Sequence, residues 1–113
     1  MSCHRDEIFG PVLTVQTYSD INQAIQSANA NQYALGATVF SEDYRTLYEA
    51  ARKLQAGTVW LNTNVMSKIE APYGGDKNSG IGRENGAEGI KSYMRIKNTV
   101  LNLSRGLDEF YGF

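Results

Sequence analysis

The chain has 113 residues, 42% of them apolar and 20% charged, with a formal net charge of −1. That is enough for one domain with its own core, and it excludes a disordered or low-complexity segment and a basic nucleic-acid-binding surface. No apolar run approaches the roughly 18–20 residues of a membrane span, and the start lacks the layout of a signal peptide. A single cysteine allows no internal disulfide, so a reducing, cytoplasmic setting is expected.

The run Val12-Leu13-Thr14-Val15-Gln16-Thr17-Tyr18 is rich in β-branched and aromatic residues and predicts a strand. Ser19 and Asp20 supply helix-capping oxygens, and Gln23 follows Asp20 at capping-box spacing. Ile21, Ala24, Ile25 and Ala28 then mark one stripe of a helix ending near residues 29–31. Leu35-Gly36-Ala37-Thr38-Val39-Phe40 has strand length. Ser41 and Asp43 can cap a second helix with the stripe Leu47, Ala50, Ala51 and Leu54, and Gly57 stands where a C-cap glycine belongs. Thr58-Val59-Trp60-Leu61-Asn62 predicts a third strand. Strand–helix–strand–helix–strand implies an α/β fold with a three-layer βαβαβ parallel-sheet core, its apolar strands covered on both faces.

Residues 63–83 predict a long loop, of the kind that is functional or disordered in compact domains. A short helix is expected over about 84–94, although Gly86 and Gly89 each cost it about 1 kcal/mol against alanine. The last strand, Thr99-Val100-Leu101-Asn102-Leu103, carries apolar groups on both faces, and such an edge recruits another chain. Two units result, residues 1–95 and an oligomerisation strand with its tail, 96–113.

Three constellations invite chemistry. Glu7 and Phe9 flank the turn in Glu7-Ile8-Phe9-Gly10-Pro11-Val12, where a carboxylate can accept two bonds from vicinal hydroxyls and a ring can flank a planar group. Set against this is an exposed acid beside a core phenylalanine. Cys3-His4 imitates a nucleophile with its base, but adjacent residues of an extended segment point apart, and one cysteine with one histidine cannot close a zinc site. The stretch Gly74-Gly75-Asp76-Lys77-Asn78-Ser79-Gly80-Ile81-Gly82 resembles a phosphate loop only in composition. Its third glycine falls at 86 rather than 85, and Lys77 is followed by Asn78.

The motif at residues 7–12, taken with Pro72-Tyr73-Gly74-Gly75-Asp76-Lys77-Asn78-Ser79-Gly80-Ile81-Gly82-Arg83-Glu84, resembles the C-terminal part of the NAD(P)-dependent aldehyde dehydrogenases. The resemblance runs from Glu7 to about Leu103, and Asp76 departs from it where an aromatic or aliphatic residue is common. It implies a parent enzyme that oxidises an aldehyde to an acid with NAD or NADP through a cysteine thioester. Glu7 would hold the nicotinamide ribose and Phe9 would pack near the nicotinamide. Val65, Met66, Ile69, Glu70 and Tyr73 fall in the region that lines the aldehyde tunnel or beside it, Glu70 facing a cationic substrate; a solvated loop is the alternative. The final strand would join subunits into a homo-oligomer. The family's nucleophile and general-base segments have no counterpart here, so this chain alone is expected to be inactive. A non-catalytic association module and a truncated gene product are the alternatives to an enzyme fragment.

Overall fold

The computed structural model describes residues 6–64 and 68–103. The element order is α1 (Ile21–Asn29), β1 (Tyr33–Ala34), β2 (Gly36–Val39), α2 (Tyr44–Lys53), β3 (Thr58–Leu61), β4 (Asp76–Lys77) and α3 (Gly86–Lys91).

Both long helices begin where a carboxylate meets orphan backbone donors. The Asp20 side chain accepts from Asn22 N at 3.2 Å, so the donor is Asn22 rather than Gln23. Asp43 accepts from Arg45 N and Thr46 N, each at 3.1 Å, and from the Thr46 hydroxyl at 2.7 Å. The hydroxyl first, then the two amides, hold the Asp43 carboxyl below its ordinary value of 3.8. A lowered folded value gives stability that is full above 3.8 and disappears as pH falls through the folded value. Asp43→Asn keeps a capping oxygen but loses this titration, so its urea midpoint should fall less steeply on acidification than the parent's.

The α2 stripe meets a parallel pair. β2 and β3 run side by side in the register Gly36 to Thr58, Ala37 to Val59, Thr38 to Trp60 and Val39 to Leu61, joined by α2 as a βαβ crossover. α2 packs on both strands and α1 packs on α2. Ile25, Ala34, Leu47 and Ala50 are the buried apolar residues of this core. Gly36 has no side chain to obstruct the Trp60 ring; a Cβ there would lie 2.6 Å from Trp60 Cζ3. The Thr58 hydroxyl is buried without a hydrogen bond to any described residue. Thr58→Val should therefore raise stability by about 1 kcal/mol, read as a higher urea midpoint.

Several expectations change. The three-layer core is not formed: the described residues hold two two-stranded sheets, β2–β3 parallel and β1–β4 antiparallel, with helix cover on one side. Residues 12–18 belong to no ladder, and Leu13 and Val15 are exposed. Residues 99–103 likewise form no strand, and Val100, Leu101 and Leu103 are exposed. Both segments have strand composition, but neither pairs with a described residue, and a strand needs a partner. Gly57 is no helix cap, because α2 ends at Leu54 in an extended conformation. The later part of the 63–83 stretch is paired rather than loop throughout. Asp76–Lys77 pairs with Tyr33–Ala34, and Tyr73 bridges Glu84. α3 starts at Gly86 because Asn85 has φ 62 and ψ 173, and i to i+3 bonds continue its turn to Met94.

The chain leaves much of its apolar surface open. Its accessible surface is 10219 Å², against about 6,200 Å² for a compact monomer of this mass. Its radius of gyration is 21.8 Å, against about 13 Å expected for this length. Among the described residues, no helix is long and apolar enough to cross a membrane.

Candidate functional site

Two consecutive three-residue turns shape the Glu7 region. Gly10 N donates to Ile8 O at 2.8 Å and Val12 N to Gly10 O at 2.7 Å, placing Phe9 and Pro11 at the turn centres. The Phe9 ring projects into solvent, 97% exposed, and Glu7 makes no hydrogen bond or ion pair with any described residue. Glu7, Ile8, Val12 and Thr14 line one side of a cavity of about 620 Å³; Tyr33 and Gly36 line it too. That volume lies within the range of small-molecule sites, about 300–1,000 Å³. The Glu7 carboxylate, with open acceptor positions at the cavity, fits a pair of hydroxyls, while the Phe9 ring is free in solvent and does not line the cavity. Phe9 is thus a projecting group rather than the core phenylalanine of the plainer reading.

The glycine-rich stretch is a hairpin braced from three sides. Arg83 donates to Gly75 O at 2.6 Å and to Gly82 O at 3.0 Å, and its guanidinium pairs with the Asp76 carboxylate at 2.5 Å. Lys77, at φ 51, sends its ammonium to the carbonyls of Asn29 at 2.7 Å and Asn31 at 3.1 Å, where the negative end of α1 favours a cation. Ser79 Oγ accepts from Ala34 N at 2.9 Å, and Asn78 N donates to Gln32 O at 3.1 Å. The amides of Ser79 and Gly80 bond inward to Asp76 O and Lys77 O. Lys77 and these amides therefore serve the hairpin and the end of α1.

The glycines have a packing reason. A Cβ on Gly57 would stand 1.7 Å from Gly74 O, one on Gly74 2.3 Å from Gly82 O, and one on Gly75 2.4 Å from Ser79 Cβ. Gly82 has nothing within 4 Å of such a Cβ.

Two asparagines that composition does not single out fasten the frame. Asn29 accepts from Gln55 N and donates to Lys53 O, both at 2.8 Å, tying α1 to the end of α2. Asn62, at φ 52, accepts from Ser41 N and donates to Ser41 O, both at 2.9 Å, extending the β2–β3 pairing by an amide in place of a peptide unit. The one available signal is that each asparagine stands at the end of an element, Asn29 closing α1 and Asn62 just past β3, and Asn62 there tolerates left-handed backbone.

The tunnel candidates lie on a separate segment. Ile69 is 78% exposed, Glu70 is exposed, and Tyr73 is half-buried in its bridge to Glu84. Ile69 O accepts from Gly86 N at 2.9 Å, fixing this segment to the start of α3. None of the three lines the Glu7 cavity. Val65, Met66, Cys3 and His4 lie outside the described residues. No group of three or more potential metal ligands occurs among the described residues.

Known proteins resemble the chain over nearly its whole length. The Aldehyde dehydrogenase family profile matches residues 1–99. Aldehyde dehydrogenase [NAD(P)+] 2 of Saccharomyces cerevisiae is 42% identical over 100 residues, covering 88% of this chain and 20% of the relative. Aminoaldehyde dehydrogenase 1 of Pisum sativum, a peroxisomal protein, is 42% identical over 113 residues, covering 100% of the chain and 22% of the relative. A crystal structure of a point mutant of Staphylococcus aureus betaine aldehyde dehydrogenase with NAD+ superposes with a TM-score of 0.88 at 42% identity, over 96% of this chain and 22% of that one. The chain thus spans about a fifth of the length of these relatives. Sequence and backbone agree over nearly the whole chain, and it belongs to the aldehyde dehydrogenase family.

Proposed function

We propose that this chain is the C-terminal part of an NAD(P)-dependent aldehyde dehydrogenase, whose parent oxidises an aldehyde to a carboxylic acid through a cysteine thioester. The observation that carries the reading is the Glu7 turn: an open carboxylate at a cavity of about 620 Å³, followed two residues on in sequence by a solvent-projecting ring. Glu7 accepts the ribose hydroxyls and Phe9 packs near the nicotinamide. The dinucleotide, when bound, takes up the hydride; the chain's own residues orient it. Ile69, Glu70 and Tyr73, with Met66, belong to the aldehyde wall, with Glu70 toward a cationic group. Residues 1–95 act as part of the catalytic domain, in a cytoplasmic setting, and the segment Thr99-Val100-Leu101-Asn102-Leu103 pairs across a subunit boundary.

The excess surface supports a fragment that is completed by other protein. The alternative of a free-standing association module is favoured by the same exposed apolar segments, and light scattering weighs it. Self-association of the chain that is lost on Leu101→Lys supports subunit pairing; a strict monomer at tens of micromolar removes it.

The site reading is tested by grafting this chain onto the matching segment of the S. aureus enzyme. The graft should oxidise betaine aldehyde, and Glu7→Gln should raise KM for NAD+ about tenfold, the equivalent of one lost hydrogen bond of about 1.4 kcal/mol. Phe9→Ala should act in the same direction. Unchanged KM and kcat in both variants would remove the ribose assignment. Glu70→Gln should lower the preference for cationic over neutral aldehydes, and an unaltered preference would return Glu70 to a solvated loop. The chain alone, given NAD+ and acetaldehyde, should show no turnover; measurable turnover overturns the fragment reading.

A further inference from the structure

We propose that Asn85-Gly86 is a site of spontaneous deamidation that the fold holds in check through the bond from Gly86 to Ile69, so that conversion of Asn85 records opening of that contact. The proposal stands independently of the enzyme reading.

Three observations converge. Asn85 precedes glycine, whose bare backbone nitrogen offers no side chain to hinder approach to the asparagine amide. Its side chain makes no hydrogen bond to a described residue, whereas Asn22, Asn29, Asn31, Asn62 and Asn78 all use theirs. Its backbone, at φ 62 and ψ 173, occupies a region that is essentially glycine's, so any product that relaxes it is favoured.

The chemistry needs only solvent. Gly86 N, after losing its proton to hydroxide, attacks Asn85 Cγ. The new C–N bond closes a five-membered succinimide as the Cγ–Nδ2 bond breaks, and the nitrogen leaves as ammonia with a proton from water. Water then opens either carbonyl of the ring, giving aspartate or isoaspartate. No electron transfer is involved.

The gate lies in the same nitrogen. Gly86 N–H donates to Ile69 O at 2.9 Å, and that bond must break before the nitrogen can attack. The contact is tight: a Cβ on Gly86 would stand 2.9 Å from Glu70 O and 3.1 Å from Pro72 N. An isoaspartate lengthens the main chain by one methylene between residues 85 and 86. That displaces Gly86 from Ile69 and frees the 69–72 segment from α3, so the modification is self-reinforcing once formed.

The experiment incubates the full chain in mildly alkaline buffer, with and without urea, and maps acid and isoaspartyl products at every asparagine by peptide mass. In urea, Asn85 should convert faster than Asn78, which precedes serine. Without urea, Asn85 should slow at least about tenfold, as expected for a reaction requiring local opening. Arg83→Ala, which loosens the hairpin, should move the rate without urea toward the rate in urea while leaving Asn98 on the exposed C-terminal segment unaffected. Equal rates in both conditions overturn the gate, and an Asn85 that lags Asn78 in urea overturns the site itself.

Discussion

Gly57→Ala should detach the glycine-rich hairpin from β3 and lower stability by about 3 kcal/mol or more, a large effect for a single methyl group. The added carbon would stand 1.7 Å from Gly74 O, 2.8 Å from Gly74 C and 3.3 Å from Gly75 Cα. All three atoms are backbone, so no rotamer change relieves the overlap. The strand and the hairpin must separate, and the displacement of Gly57 strains its bonds on the opposite side, Gly57 N to Ala34 O and Thr58 N to Leu35 O, at 3.0 and 3.2 Å. Trp60 fluorescence during urea unfolding reports the loss directly, since Trp60 lies in β3. Gly82→Ala is the matched control, with open space around its Cβ, and should shift stability by no more than about 0.5 kcal/mol. A Gly82→Ala loss as large as that of Gly57→Ala would show that the hairpin's glycines act through something other than close backbone approach.

Arg83→Ala comes second, at about 2–3 kcal/mol. Its guanidinium holds two carbonyls and a carboxylate around one turn, and the Gly75 carbonyl belongs to a buried residue that would lose its donor. The ion pair itself is the smaller share. The side chains of Arg83 and Asp76 are 29% and 52% exposed, so solvent screening leaves Asp76→Ala at about 1 kcal/mol or less. Arg83→Lys keeps the charge but not the planar fork, and should recover less than half of the loss in urea midpoint. If Lys restores full stability, the contribution is charge alone and the fork is incidental. The same geometry gives Asp76 its place, as the carboxylate that anchors Arg83.

The helices were readable because their causes are local. Asp20 and Asp43 meet donors two and three residues away, and the stripe through Leu47 and Ala50 needs only the period of one helix. β2 and β3 were readable as apolar runs of strand length. The segment at 12–18 has the same composition yet forms no ladder, because a strand needs a partner that composition cannot supply. Gly57 was misplaced for a related reason: glycine at a helix end and glycine under a distant backbone look identical in one dimension, and only Gly74 distinguishes them. Phe9 and Glu7 were legible as a motif, whereas their projection into solvent depends on two turn bonds that no periodicity encodes. The hold of Lys77 on the end of α1 spans 46 to 48 residues of sequence and left no local trace.

That long-range hold bears on how such a protein diversifies. The hairpin is positioned by α1, β1 and Gly57, while the connection entering it is fastened independently at each end, by Asn62 to Ser41 and by Ile69 to Gly86. Within the hairpin itself, Ile81 is fully exposed and a Cβ on Gly82 meets open space. Side-chain drift at those two positions leaves each of these holds intact, so the hairpin keeps its place while its own sequence changes.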